Sequence, residues 1–153
     1  MPLAAEAEAQ VAAAAEGPRF GAPQLVRPRL GQGTFRVAVT QAYGSACAVS
    51  GEHSLPVLDV AHIQGYAAGG PHEVRNGLLL RTDIHRLFDR GYVTVTPEYR
   101  FEVSGRLREE FENGRTYYAL HGRKILKPRD AADRPDPALL NWHNEHVYGR
   151  DAA

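Results

Sequence analysis

Val60-Ala61-His62-Ile63, then Gly69-Gly70, then Asn76-Gly77-Leu78-Leu79-Leu80, then Asp83-Ile84-His85-Arg86-Leu87-Phe88-Asp89 is the stretch whose reading decides the fold. Leu55 to Ile63 is rich in apolar and β-branched residues and is predicted to be a strand. Along such a strand Leu58, Val60 and His62 share one face, while Val57, Asp59 and Ala61 share the other. Residues 65–75, with Gly69-Gly70-Pro71 in their midst, cannot hold regular structure and form a loop. The apolar run Leu78-Leu79-Leu80 follows, and Thr82 or Asp83 then caps a short helix carrying Ile84, His85, Leu87 and Phe88 and ended by Gly91. Asn76-Gly77 is also a common turn pair, which predicts a left-handed Asn76.

Upstream, Phe35, Val37, Ala38, Val39, Ala42 and Tyr43 fit a short amphipathic helix with Thr34 as N-cap and Gly44 as its stop. Residues 1–28 are set apart: an Ala/Glu/Gln-rich leader with little apolar surface, then a linker broken by Pro18, Pro23 and Pro28. The domain is expected over 29–150. Downstream, Tyr92 to Thr96 and Tyr99 to Val103 flank Pro97-Glu98 and predict a β-hairpin. Leu107 to Phe111 fits a helix, and Tyr117 to Leu120 a strand or packed loop. Asp136-Pro137 opens a terminal helix over Ala138 to Tyr148, burying Leu139, Leu140, Trp142 and Val147.

The bulk properties set bounds. With 153 residues, 43% hydrophobic and 24% charged, the chain is expected to form one globular domain. No apolar run is long enough to span a bilayer and no secretory signal is visible, so a cytoplasmic protein without a membrane partner is expected. Cys47 is the only cysteine, which excludes an internal disulfide and a Cys-rich structural zinc within the chain; it is expected to be a small buried residue. Eighteen basic residues balance eighteen acidic ones, so net charge gives no support to nucleic-acid binding. The late cluster of Arg100, Arg106, Arg108, Arg115, Arg123, Lys124, Lys127 and Arg129 is interleaved with Glu102, Glu109, Glu110 and Glu112, the pattern of a solvated face first and of a phosphate-contacting one second.

The order His62, glycine loop, Asn76, His85 resembles the ββα-metal motif of HNH endonucleases, in the bacterial restriction-endonuclease branch. The motif spans about residues 47 to 93. The resemblance implies an α+β fold with a ββα-metal core, flanking helices and a hairpin, and a metal-dependent endonuclease acting on DNA. It assigns His62 as the general base, suited by an imidazole pKa near neutrality. It assigns Asn76 to holding the loop and the base, and His85 to one divalent cation: Mg²⁺, Mn²⁺, Ni²⁺ or Zn²⁺.

Where many HNH enzymes carry a further metal ligand just before the base, this chain has Ala61. Asp59 is the first candidate to take that place, one pleat away and acting through water, ahead of Asp83 and Asp89. Asp83 is otherwise a helix cap, and Asp89 a partner of Arg86 or Arg90. His143 and His146 are three apart on a possible helix but read as a surface face rather than a second metal site. The rival readings are an HNH-fold DNA-binding module that no longer cuts, and a subunit acting with a partner protein; a homodimer is also left open.

Overall fold

The computed structural model describes residues 30–149; the leader and linker read from the sequence lie outside the described residues. Helix α1 (Gln32–Ala42) is followed by strand β1 (Leu58–His62), strand β2 (Gly77–Arg81) and helix α2 (Thr82–Asp89). A second pair of strands, β3 (Val93–Val95) and β4 (Phe101–Val103), precedes α3 (Arg106–Phe111), the short α4 (Arg115–Tyr118) and α5 (Pro137–His146). The two antiparallel pairs are separate sheets. This is the expected α+β architecture: two strands and a helix at the centre, flanked by helices and a hairpin.

Pairing of β1 with β2 sets Asp59 opposite Leu80, Ala61 opposite Leu78 and His62 opposite Gly77. Both α1 and α2 pack on this pair. Leu78, Leu79 and Leu80 are therefore all buried, which explains why β2 reads as a continuous apolar run rather than an alternating one. Each such leucine contributes about 2 kcal/mol of transfer free energy. Gly77 is what lets α1 close on β2, because a Cβ there would stand 2.5 Å from Val39 Cγ2 and 3.2 Å from Phe35 Cζ.

Cys47 is free and fully buried. Its sulfur accepts the N–H groups of Ser50 and Arg81, both at 3.3 Å, tying the turn before β1 to the end of β2.

Several local expectations are corrected. Helix α1 starts at Gln32 with Gly31 as N-cap, because the bond from Phe35 N–H to Gly31 O opens the first turn ahead of Thr34. The strand predicted from Leu55 begins only at Leu58, after a 3-10 turn over Leu55–Val57. Asn76 ends a 3-10 turn (Val74–Asn76) and is not left-handed; among described residues other than glycine, only Ser45, Tyr99 and Glu112 have positive φ. Arg81 is the residue at the N-cap of α2, and neither Thr82 nor Asp83 caps it; Asp83 instead pairs with the Arg81 guanidinium at 2.7 Å and accepts the Tyr117 hydroxyl. Tyr117 lies in helix α4, whose first carbonyl, from left-handed Gly114, accepts both the Tyr117 and Tyr118 N–H.

Asp136 caps α5 through Ala138 N–H with Pro137 in the first turn, as expected. Leu140 is fully buried, whereas Leu139, Trp142 and Val147 are half-buried. His143 is not on a surface: its side chain stacks on Phe88 with ring centroids 3.7 Å apart and is only 2% exposed as a residue. Its Nε2 bonds to Phe88 O at 2.9 Å and its Nδ1 to Thr94 Oγ1 at 2.7 Å, while Asn144 Nδ2 donates to the same hydroxyl. A neutral ring with the proton on Nε2 satisfies every one of these bonds. Burial accordingly pushes the His143 pKa down to about 4.

The unfolded chain therefore binds a proton at His143 that the folded chain refuses between about pH 6.5 and pH 4. Stability is fully present above the upper value and is lost as pH falls through this window, by up to about 3 kcal/mol. Urea unfolding followed from pH 7.5 to pH 4.5 should show this slope, and His143→Gln should flatten it.

Candidate active site

β1 ends on His62, whose ring stacks on Phe35 of α1 with centroids 4.4 Å apart. On the other side His62 Nε2 lies 3.0 Å from His72 Nδ1. Burial holds the His62 pKa below the ordinary histidine value, the neighbouring His72 adds to this, and Asp89 pulls against it. His62 is thus kept neutral near pH 7, the state in which imidazole can accept a proton.

The loop from Gln64 to Arg75 returns on itself because Asn76 holds it. The fully buried Asn76 side chain donates Nδ2–H to Gln64 O at 3.0 Å and to Pro71 O at 2.9 Å, while its Oδ1 accepts Gln64 N–H at 2.9 Å. Gly70 is required at the crossing, since a Cβ would fall 1.7 Å from Gln64 O and 3.0 Å from Asn76 Nδ2. Arg75 fastens the far end of the loop to α5 by ion-pairing with Asp136, and also pairs with Glu73 at 2.6 Å.

His85 projects from α2 one turn before Asp89. Its Nδ1 lies 3.0 Å from Asp59 of β1 and its Nε2 3.0 Å from Asp89. The hydrogen bond to Asp89, assisted by Asp59 and opposed by burial, raises the His85 pKa. Asp89 therefore pairs with His85 rather than with Arg86 or Arg90. Asp59 reaches the ring directly, across the pleat that separates it from Ala61.

His62, His85 and Asp89 line one cavity of about 440 Å³, whose wall also includes Val60, Trp142 and His143. A larger depression of about 740 Å³ opens beside Arg108, Glu112, Asn113, Arg115 and Tyr118; no histidine lines it, and it shares no lining residue with the first. Of the late basic cluster, Arg106 pairs with Glu110 at 3.1 Å and Arg108 covers the Tyr118 ring.

The donor set can be tested against a divalent cation. Two cis ligands of an octahedral ion at 2.0–2.1 Å are about 3 Å apart, and each carboxylate of the Asp59–His85–Asp89 series stands at that distance from an imidazole nitrogen. The pairs suit a cation that takes a nitrogen and a carboxylate from the protein. No group of three or more His, Cys, Asp or Glu side chains is arranged to hold a metal among the described residues. The remaining positions would fall to phosphate oxygens and water.

Residues 47–96 match the family model described as HNH endonuclease. Over this segment the chain is similar to HNH endonucleases. The segment contains β1, β2, α2 and β3, and with them His62, Asn76 and His85. No curated protein matches. Among solved structures the chain is similar to the modification-dependent TagI restriction endonuclease, with a TM-score of 0.50 and 21% identity over 74% of this chain and 37% of that one, a likeness of fold. It is also similar to the type IV phosphorothioation-dependent restriction endonuclease ScoMcrA, at 24% identity and a TM-score of 0.35, over 56% of this chain and 18% of that one. The chain thus spans little more than a third of the TagI structure.

Of the residues in this constellation, the sequence passed over His72 and ranked Asp89 low. His72 gave no periodic signal because it sits in an irregular loop; its place ten residues after His62, in a loop that Asn76 closes, is the clue in retrospect. Asp89 was discounted in favour of arginine pairing, although its i, i+4 spacing from His85 put both on one helical face.

Replacing Asn76 by alanine strands two carbonyls and an N–H in a partly buried place, and should cost about 2 kcal/mol in urea unfolding. Asn76→Asp should be no better despite its equal size, because it sets a carboxylate oxygen against the Gln64 and Pro71 carbonyls.

Proposed function

We propose that the chain is a metal-dependent DNA endonuclease of restriction type that hydrolyses phosphodiester bonds. The observation that carries this reading is the convergence of a neutral His62 and a carboxylate-flanked His85 on one cavity. His62, kept uncharged by burial, takes a proton from the attacking water. Asn76 fixes the loop that shapes the base's surroundings. His85 Nε2 and Asp89, on the cavity side, would hold a divalent cation, while Asp59, on the opposite nitrogen, accepts the Nδ1 proton and sets the ring's tautomer. Asp59 is in this way a positioning residue, closer to the site than its sequence register suggested. When bound, the ion supplies charge stabilisation at the phosphorus centre and at the departing sugar oxygen. Hydrolysis in this sense leaves 5′-phosphate and 3′-hydroxyl ends. Imidazole ligation favours Mn²⁺, Ni²⁺ or Zn²⁺ over Mg²⁺ in affinity.

Among the described residues no helix is long and apolar enough to cross a membrane.

Plasmid cleavage at low salt, where phosphate contacts are least screened, with each of Mg²⁺, Mn²⁺, Ni²⁺ and Zn²⁺ in turn is the test. Cutting should require a divalent ion, and His62→Ala and His85→Ala should each abolish it. Asp89→Asn should weaken Mn²⁺ binding measured by calorimetry more than Asp59→Asn does. Undiminished cutting by folded His62→Ala protein would remove the base from the mechanism.

A further inference from the structure

His72 has no part in the mechanism above, yet it occupies one of the two nitrogens of the base. From the juxtaposition of His62 Nε2 and His72 Nδ1 at 3.0 Å, in a loop pinned on both sides of His72, we propose that His72 is the positioning residue that selects the reactive tautomer of His62. The inference rests on His62 being the base.

Two neutral imidazoles joined through one hydrogen bond share a single proton between the facing nitrogens, so one ring donates and the other accepts. If His72 donated from Nδ1, the proton of neutral His62 would be on Nδ1 and its only lone pair would be spent on the bond. Such a ring has nothing left with which to take a proton from water. If His62 donates from Nε2, its Nδ1 lone pair is free, and no described residue is hydrogen-bonded to that nitrogen. Only the second arrangement serves a base. It requires His72 to carry its own proton on Nε2 and to accept at Nδ1. As His62 gains a proton at Nδ1, its Nε2–H stays bonded to the His72 lone pair, which shares the new positive charge and keeps the ring from turning.

The surroundings hold His72 to this task. Asn76 fixes the Pro71 carbonyl immediately before it, and Leu30 N–H donates to the His72 carbonyl at 2.8 Å. The Tyr66 ring stacks on the His72 ring with centroids 4.8 Å apart and planes 16° from parallel, and His62 meets it edge-on at 5.0 Å. Phe35, His62, His72 and Tyr66 thus form a continuous series of ring contacts running from α1 to the exposed loop.

Ring-nitrogen ¹⁵N NMR on the full chain labelled at histidine, with the His62 signals assigned by His62→Gln, reads the tautomer without any cleavage assay. Wild type should show His62 protonated on Nε2. His72→Phe, which keeps an aromatic ring between His62 and Tyr66 but offers no acceptor, should erase that single-tautomer signature. His72→Asn, whose Oδ1 can stand where Nδ1 stood, should restore it. In Mn²⁺-dependent cleavage, His72→Phe should lower kcat on the order of tenfold with little change in KM, as loss of an orienting partner does, and His72→Asn should recover most of it. A wild-type His62 protonated on Nδ1, or a His62 signature unmoved by His72→Phe, overturns the proposal. Should His62→Ala cleave normally, the failure is that of the nuclease mechanism, and the tautomer spectra still decide whether His72 sets the ring.

Discussion

Three hydrogen bonds of one buried amide hold the site in shape. A carboxamide can donate and accept from one planar group, and Asn76 uses both ends: its nitrogen closes on two carbonyls of the loop and its oxygen on the N–H of Gln64. No other side chain of this size offers that combination. Because Gln64 N–H, Gln64 O and Pro71 O would otherwise lack these partners where they meet the buried amide, Asn76 turns a cost of burial into the device that fixes the loop. Gly70 is its counterpart in space, the position where any Cβ would collide with Gln64 O. His62 on one side and His72 on the other inherit their places from this closure.

The second determinant is the carriage of His85. Helix α2 is short, yet Ile84 and Phe88 are buried against the strands and leave His85 and Asp89 on the side that meets the cavity. The last turn of the helix is held by a bond from His143 to the carbonyl of Phe88, so a residue of the last helix keeps the metal-binding candidate in line. Carboxylates on both nitrogens give the imidazole one orientation.

Much of this was legible in the residues. The strand, loop, strand, helix order followed from apolar periodicity and the glycine pair, and the hairpin from Pro97-Glu98 between a β-branched run and an alternating aromatic one. What escaped was of two physical kinds. The start of α1 was displaced by about a turn because the backbone bond from Phe35 N–H to Gly31 O begins ahead of the expected cap. Partners joined through space were not visible at all: His143 looked like one face of an exposed helix because nothing in its neighbourhood along the chain announces Phe88 and Thr94. Asp59 was expected at a distance from the cation site because strand spacing was measured along β1, whereas α2 brings His85 across to it.

Arg75 gives the architecture a mechanical consequence. By ion-pairing with Asp136 it joins the loop that carries His72 to the residue that caps α5, and the Arg75 carbonyl also accepts the Asp136 N–H at 3.0 Å. A loop of this length would ordinarily open on its own, exchanging its amide protons far faster than the core. Stitched at Asn76 to the strand and at Arg75 to the final helix, its stem opens only together with both. Slow hydrogen exchange should therefore reach beyond the sheet into the stem of an irregular segment, and the central strand pair and the last helix should behave as one cooperative unit with the loop between them.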